Sequence, residues 1–317
     1  MTRRIIIDTD PGTDDAVAIL LALAAPELGI QGLVAVAGNA PLDATERNAR
    51  AVLELARRPE IPVYAGCPRS IGGGSIGGGS ITAEHAHGDT GLGELKLPLP
   101  QIPVQPAHGV DFLIGTLRAT PPRSITICAL GPLTNIATAL VKAPDIAKQM
   151  EELVVMGGAS YALGNTTPCA EFNIHADPTA ASIVFASGPP ITMIPLDLTH
   201  QVMSTPERIE RIEALGTVCG RAAARLMSPP PQRRGGRGEP PAYALHDPCV
   251  IAYLLAPELF DGIDANVAIE TQSPLTLGMT VVDWRGISGR PANARVMTKI
   301  DADGFYALLA ERLAALP

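Results

Sequence analysis

The feature that most constrains this chain is an alternation in the period of its apolar residues. Short continuous apolar runs such as Ile5-Ile6-Ile7, Leu33–Ala37 and Leu153–Met156 alternate with longer stretches at helical spacing. A strand apolar at every position is buried on both faces, and the intervening helices supply the cover. The pattern therefore asks for an open, mostly parallel α/β sheet with helices on both faces. Strands are expected at Ile5–Ile7, Leu33–Ala37, Val63–Tyr64, Ser124–Leu130, Leu153–Met156 and Ile191–Leu198. Helices are expected at Asp14–Ala25, Asp43–Arg57 with Asp43 as N-cap, and His108–Arg118. Further helices are expected at Thr134–Val141, Pro178–Ala186, Pro206–Leu215 and Pro248–Leu255. No linker divides the chain, so a single domain over residues 1–317 is expected, with mobile loops near 70–82 and 228–242.

Composition narrows the partners. A formal net charge of -8 argues against a non-specific nucleic-acid binder, which would need a basic face. The cysteines, at positions 67, 128, 169, 219 and 249, are scattered and never spaced as a zinc pair, so reduced thiols in a cytoplasmic protein are expected. Three isoleucines after Met1–Arg4 do not make a signal peptide, and the run Ala16–Ala25 is about half of the ~20 residues that cross a bilayer. A soluble protein without membrane or nucleic-acid partners is the expectation.

Chemistry concentrates in Asp8-Thr9-Asp10-Pro11-Gly12-Thr13-Asp14-Asp15. Carboxylates this dense repel one another unless a counter-charge is present. The dipole of the following helix can answer for Asp14 and Asp15 but not for Asp8 and Asp10, which alternate at a strand end. A hard divalent cation satisfies the group better, and oxygen-only ligands suit calcium or magnesium. An EF-hand is excluded, because a strand precedes the cluster and position twelve counted from Asp8 is Ile19. A haloacid-dehalogenase phosphatase would use Asp8 as nucleophile, but carries Thr or Val where this chain has Gly12. A metal site that only holds the fold is the remaining bland reading. Asp8-Asp10, Gly38-Asn39, Leu130-Gly131, Met156-Gly157 and Asp197 all fall at expected strand ends, where such sheets bind ligands.

The segment Asp8–Ala18 resembles the N-terminal signature of the inosine-uridine-preferring nucleoside hydrolases. The resemblance continues through Gly38-Asn39, His87–Gly93, Ala129–Asn135, Met156-Gly157-Gly158, Asn165, Ala170–Asn173 and His246-Asp247. The ordered set is far more specific than any one motif. It implies a Rossmann-like nucleoside hydrolase fold, a homodimer or homotetramer, and calcium-dependent release of ribose and free base from ribonucleosides.

In that family calcium holds the attacking water and the ribose diol. The resemblance assigns its ligands to Asp10, Asp15, Asp247 and the carbonyl of Leu130, with Asp10 also the general base. Asp14 matches the acceptor of ribose hydroxyls, helped by Asn39 and Asn173. Asn165 and Glu171 match contacts to the 5'-hydroxyl, and Met156 and Phe172 the apolar lining. His246 matches the acid that protonates the leaving base, and His87 a contact to ribose or base. Ordinary readings stand beside these: Met156 and Phe172 as core, and Asp247 before Pro248 as a helix N-cap that shares its carboxylate with the metal. Asp177-Pro178 has the same cap pattern and is expected to be structural; Asp8 is expected to orient its neighbours. A non-catalytic nucleoside sensor is the alternative, against which Asp10 and His246 both argue.

Two stretches depart from the family pattern, the repeated Ile-Gly-Gly-Gly-Ser at 71–80 and the Arg-rich 233–237. Purine-specific relatives sandwich the base between tryptophans. Here Trp284 stands alone, expected near the C-terminal strands, so a purine-only enzyme is disfavoured, and His246 favours the inosine-uridine or pyrimidine-leaning side.

Overall fold

The computed structural model describes residues 2–72, 91–228 and 243–317. His87 lies outside the described residues, as do most of the expected loops near 70–82 and 228–242. In chain order the strands are β1 (Arg3–Thr9), β2 (Leu28–Ala35), β3 (Val63–Ala65), β4 (Val104–Gln105), β5 (Ile125–Ala129) and β6 (Met150–Met156). They continue with β7 (Ile191–Ile194), β8 (Met203–Ser204), β9 (Tyr243–Ala244), β10 (Phe260–Ile269), β11 (Thr280–Asp283) and β12 (Ala294–Ile300).

Ten strands form one sheet in the order β11-β10-β12-β7-β6-β5-β1-β2-β3-β4. Pairing is parallel from β12 across to β4, and antiparallel where β10 meets β11 and β12. The pleat of β1 sorts its isoleucines. Ile5 and Ile7 enter one core with the helices Thr13–Leu23, Leu42–Leu55, Val218–Leu226, Pro248–Leu255 and Ala302–Leu313. Ile6 enters the other with Gly109–Ala119, Thr134–Lys142 and Pro178–Ala186. The expected mostly parallel sheet with helices on both faces is therefore the observed one. The helix Thr13–Leu23 is buried along its whole length, because four other helices of its layer pack around it.

Chain direction places the site. From β1 the strands step outward through β2 and β3 to β4, then restart at β5 on the other side of β1 and step through β6 and β7 to β12. The β1/β5 pair is the switch point, and the crevice beyond its carboxyl ends is where open parallel sheets bind ligands. Asp8 and Ala129 are partners at those ends.

Several boundaries differ from the expected ones. β7 stops at Ile194 rather than Leu198: Pro195 has no N–H for the ladder, and Leu196–Thr199 turns into a short helix. β2 runs Leu28–Ala35 instead of Leu33–Ala37, its less apolar first half lying toward the surface. Asp43 is not an N-cap. The helix starts at Leu42, with Pro41 in the cap position and no side-chain cap bond. The antiparallel strand β10 is not marked by the apolar pattern, because Asp261, Asp264 and Asn266 interrupt it. Among the described residues no helix is long and apolar enough to cross a membrane.

Candidate active site

β1 ends at Thr9, and Gly12 caps the helix that carries Asp14 and Asp15 in its first turn. Asp15 is fixed on both oxygens. Its Oδ2 accepts from the Gly12 N–H and from Asn39 Nδ2, each at 3.0 Å. Its Oδ1 accepts from Thr9 Oγ1 at 2.6 Å and the Asp10 N–H at 3.3 Å. Asp10 is held on one side only: Oδ2 accepts from the Asn39 N–H at 2.6 Å, while Oδ1 is buried with no hydrogen-bond partner. Gly38 and Gly131 flank this carboxylate so closely that a Cβ on either would sit 2.8 Å from Asp10 Cγ. Those two positions exclude a side chain because the acid occupies its space.

Asp247 arrives from the opposite end of the chain, at the start of the helix Pro248–Leu255. The expected cap is absent: Asp247 has helical dihedrals and makes no side-chain cap bond. Its carboxylate instead approaches Asp14 and Asp15, with one oxygen from each of the three lying within 4.8 Å of the others. Burial first, then the charges of Asp14, Asp15 and Asp10, push the Asp247 carboxyl well above the usual range. Asp10 rises for the same causes, burial leading and Asp15 following. Buried acids whose charges push the Asp10 and Asp247 carboxyls up, with an orphaned oxygen on Asp10, fit a hard divalent cation.

The rest of the floor comes from β5, β6 and the segment after β6. Asn173 Nδ2 donates to the Leu130 carbonyl at 2.7 Å and the Met156 carbonyl at 3.2 Å, tying together the ends of two neighbouring strands. Glu171 caps the short helix Phe172–Ala176. Its Oε1 accepts from the Asn173 N–H at 2.8 Å, and its Oε2 from the Gly158 and Ile174 N–H groups at 3.0 and 3.2 Å. Burial raises its carboxyl to about 7 against those hydrogen bonds, and the Asp14 charge adds to the rise. Asn165 Oδ1 accepts from the Phe172 N–H at 2.9 Å. Met156 and Phe172 are both buried. His246 is half-buried, its Nδ1 2.8 Å from Thr199 Oγ1.

Asp8 faces the other core. Its Oδ2 accepts from Asn135 Nδ2 at 2.9 Å, and burial raises its carboxyl to about 7. Asn135 also donates to the Ala35 carbonyl at 3.2 Å and accepts from the Cys67 N–H at 2.7 Å, so it joins β1, β2 and the turn after β3. Asp177 does cap its helix through Ala180 at 3.0 Å, and also accepts from Thr134 Oγ1 at 2.8 Å and the Ile71 N–H at 2.7 Å. Sequence reasoning missed Thr9 and Thr199. Thr9 lies inside the aspartate motif and could have been suspected; Thr199 carries no signal, since its partner is 47 positions away.

The model of the family described as inosine-uridine preferring nucleoside hydrolase matches residues 5–307. The chain belongs to this family. Among nucleoside hydrolases it is 44% identical to the pyrimidine-specific ribonucleoside hydrolase RihA of a Shewanella species, over 99% of this chain and 97% of that one. A plant nucleoside hydrolase superposes with a TM-score of 0.90 at 32% identity, covering 99% of both chains. A purine-preferring ribonucleoside hydrolase from Gardnerella vaginalis gives 0.89 at 30% identity, covering 98% of both.

Proposed function

We propose that this nucleoside hydrolase cleaves the N-glycosidic bond of ribonucleosides by calcium-dependent attack of water, releasing ribose and free base. The observation that carries the reading is the buried carboxylate group at the switch point, drawn from both ends of the chain, with Asp10 open at one oxygen. Asp10, Asp15, Asp247 and the Leu130 carbonyl would hold calcium. When bound, that ion lowers the pKa of water beside it and orients the ribose diol.

Asp10 is the general base: Asn39 holds its Oδ2, which leaves Oδ1 to take the proton of the attacking water. Asp14 accepts from the ribose hydroxyls, with Asn39 and Asn173 beside it. Asn165 and Glu171 meet the 5'-hydroxyl, and Met156 and Phe172 line the apolar face. As the bond breaks the sugar becomes oxocarbenium-like, and carboxylates already gathered beneath it stabilise the positive charge. His246, anchored at Nδ1 by Thr199, gives a proton to the departing base from its other ring nitrogen. His87 is kept as a contact to ribose or base.

A pyrimidine preference is the favoured specificity. The pyrimidine-specific relative is the more similar in sequence, at 44% against 30% for the purine-preferring structure. The test is a turnover panel of uridine, cytidine, inosine, adenosine and guanosine. Ribose release should be fastest from the pyrimidines, vanish on chelation and return with calcium. Absence of ribose from every nucleoside would sink the reading.

A further inference from the structure

Trp284, the only tryptophan in the chain, follows β11 directly and reaches the segment 157–171 that joins β6 to the helix Phe172–Ala176. Its Nε1–H donates to Ser160 Oγ at 2.7 Å, and its ring stacks on Tyr161 with centroids 5.3 Å apart and planes 13° from parallel. Tyr161 is 78% exposed, so this stack is no by-product of core packing. From the other side, the Asp197 carboxylate accepts from the N–H groups of Ser160, Tyr161 and Ala162 at 2.8, 2.6 and 3.0 Å. Three consecutive residues are thus pinned by their backbone at Asp197 and by two side chains at Trp284.

The same hairpin braces the far half of the segment. His175 Nδ1 lies 3.1 Å from the Leu277 carbonyl. Gly278, at φ +80°, fits so tightly that a Cβ would come within 2.9 Å of His175 Cα and 3.3 Å of Ala170 Cβ. Between the two braces, Gly164 folds against the backbone of Thr167 and Ala170 with no room for a side chain. Asn165 stands in this tight turn, Oδ1 on the Phe172 N–H. The segment has no helix or strand of its own up to Phe172, so its shape depends on these few anchors.

We infer that Trp284 is a positioning residue for recognition of the 5'-hydroxyl: through Ser160 and Tyr161 it holds the segment that presents Asn165 to the hydroxymethyl end of the pentose. The inference rests on the proposed contact of Asn165 and Glu171 with that hydroxyl. Loss of the anchor lets the segment sample other shapes, and a ligand that uses Asn165 must then reorder it on binding. A ligand without the hydroxyl gains nothing from the ordered segment and does not notice the change.

Being the sole tryptophan, Trp284 is its own reporter. With calcium present, D-ribose should shift its emission and 5-deoxy-D-ribose should leave it nearly unchanged. Trp284→Ala should raise KM for uridine by about tenfold with kcat within about twofold, a hydrogen bond plus an aromatic contact being lost. KM for 5'-deoxyuridine should stay where it was. Trp284→Phe, which keeps the stack but not the N–H, and Ser160→Ala should each lie between the unaltered enzyme and Trp284→Ala. Calorimetric binding of ribose with silent emission, or equal rises of both KM values, overturns the inference and leaves the hydrolase reading intact. An unaltered protein that neither binds ribose nor turns over any nucleoside overturns both.

Discussion

Asp10 combines two conditions on one side chain: an oxygen clamped by the Asn39 N–H and an oxygen with no partner. Asp10→Asn keeps the shape and removes the basicity, so turnover should fall by about 10²–10⁴-fold while calorimetry still detects ligand. Turnover retained in that variant removes Asp10 from the base role. The neighbouring glycines make a subtler probe. Gly131→Ala puts a methyl where the Asp10 carboxylate stands, and a displacement near 1 Å costs on the order of 10²-fold in rate. Circular dichroism should be unchanged; an unaltered kcat would mean the carboxylate has room to move. Glu171 offers a pH test. Its folded pKa, raised by burial to about 7, exceeds the ordinary 4.5, so the folded state binds the proton more tightly than the unfolded chain. The stability linked to that proton is complete below pH 4.5 and disappears as pH rises to 7, on the order of 3 kcal/mol. Urea titrations in chelator across that window should show the decline, and Glu171→Gln should make it shallower, leaving the part contributed by Asp8, which burial also raises to about 7. Parallel slopes for the two proteins would contradict the assignment.

Among elements, the turn ahead of the helix Pro178–Ala186 carries more than a cap. Asp177 closes the helix N-terminus and also fastens Thr134 and Ile71. Asp177→Ala should therefore cost about 2 kcal/mol, above the ~1 kcal/mol of an ordinary cap, as read by the denaturation midpoint at unchanged slope. A loss confined to the ordinary cap value would show that the distant bonds contribute nothing. The contrast with Asp247 shows where the sequence was legible. Both read as Asp-Pro before an apolar run, yet Asp177 caps while Asp247 turns its carboxylate to Asp14 and Asp15. Local pattern fixes the helix start; it does not say which way an acid beyond the start will point. The apolar runs of β1, β5 and β6 were readable because both faces are buried. β10 was not, because exposed Asp261 and Asp264 break its apolar run, and its pairing with β11 and β12 exists only in the assembled sheet. The aspartate motif stood out by density, whereas the bond from Asn135 to Asp8 spans 127 positions and leaves no trace in either neighbourhood.

For the whole molecule, the sheet's switch point brings the first acids of the chain against one near its end, and stability should register whatever joins them. Calcium at a hundredfold excess over its Kd should stabilise the protein by about 2.7 kcal/mol, visible as a rise in Tm. Asp247→Asn should abolish that rise, yet in chelator it should be at least as stable as the unaltered protein, since one of three crowded carboxylates is gone. Identical calcium responses from both proteins would mean the ion binds elsewhere. Asp15 and Asp247 are separated by about 230 residues, so an ion held between them acts as a clasp on the polypeptide. It shuts a very long loop, whose closure entropy grows only slowly with length. On a chain extended only to residue 240, Asp10, Asp15 and Leu130 are all present, but the proposed clasp would have nothing to fasten to. Tight metal retention would then mark a finished molecule, and loss of the ion would report the start of the helix Pro248–Leu255 parting from the acids that follow β1.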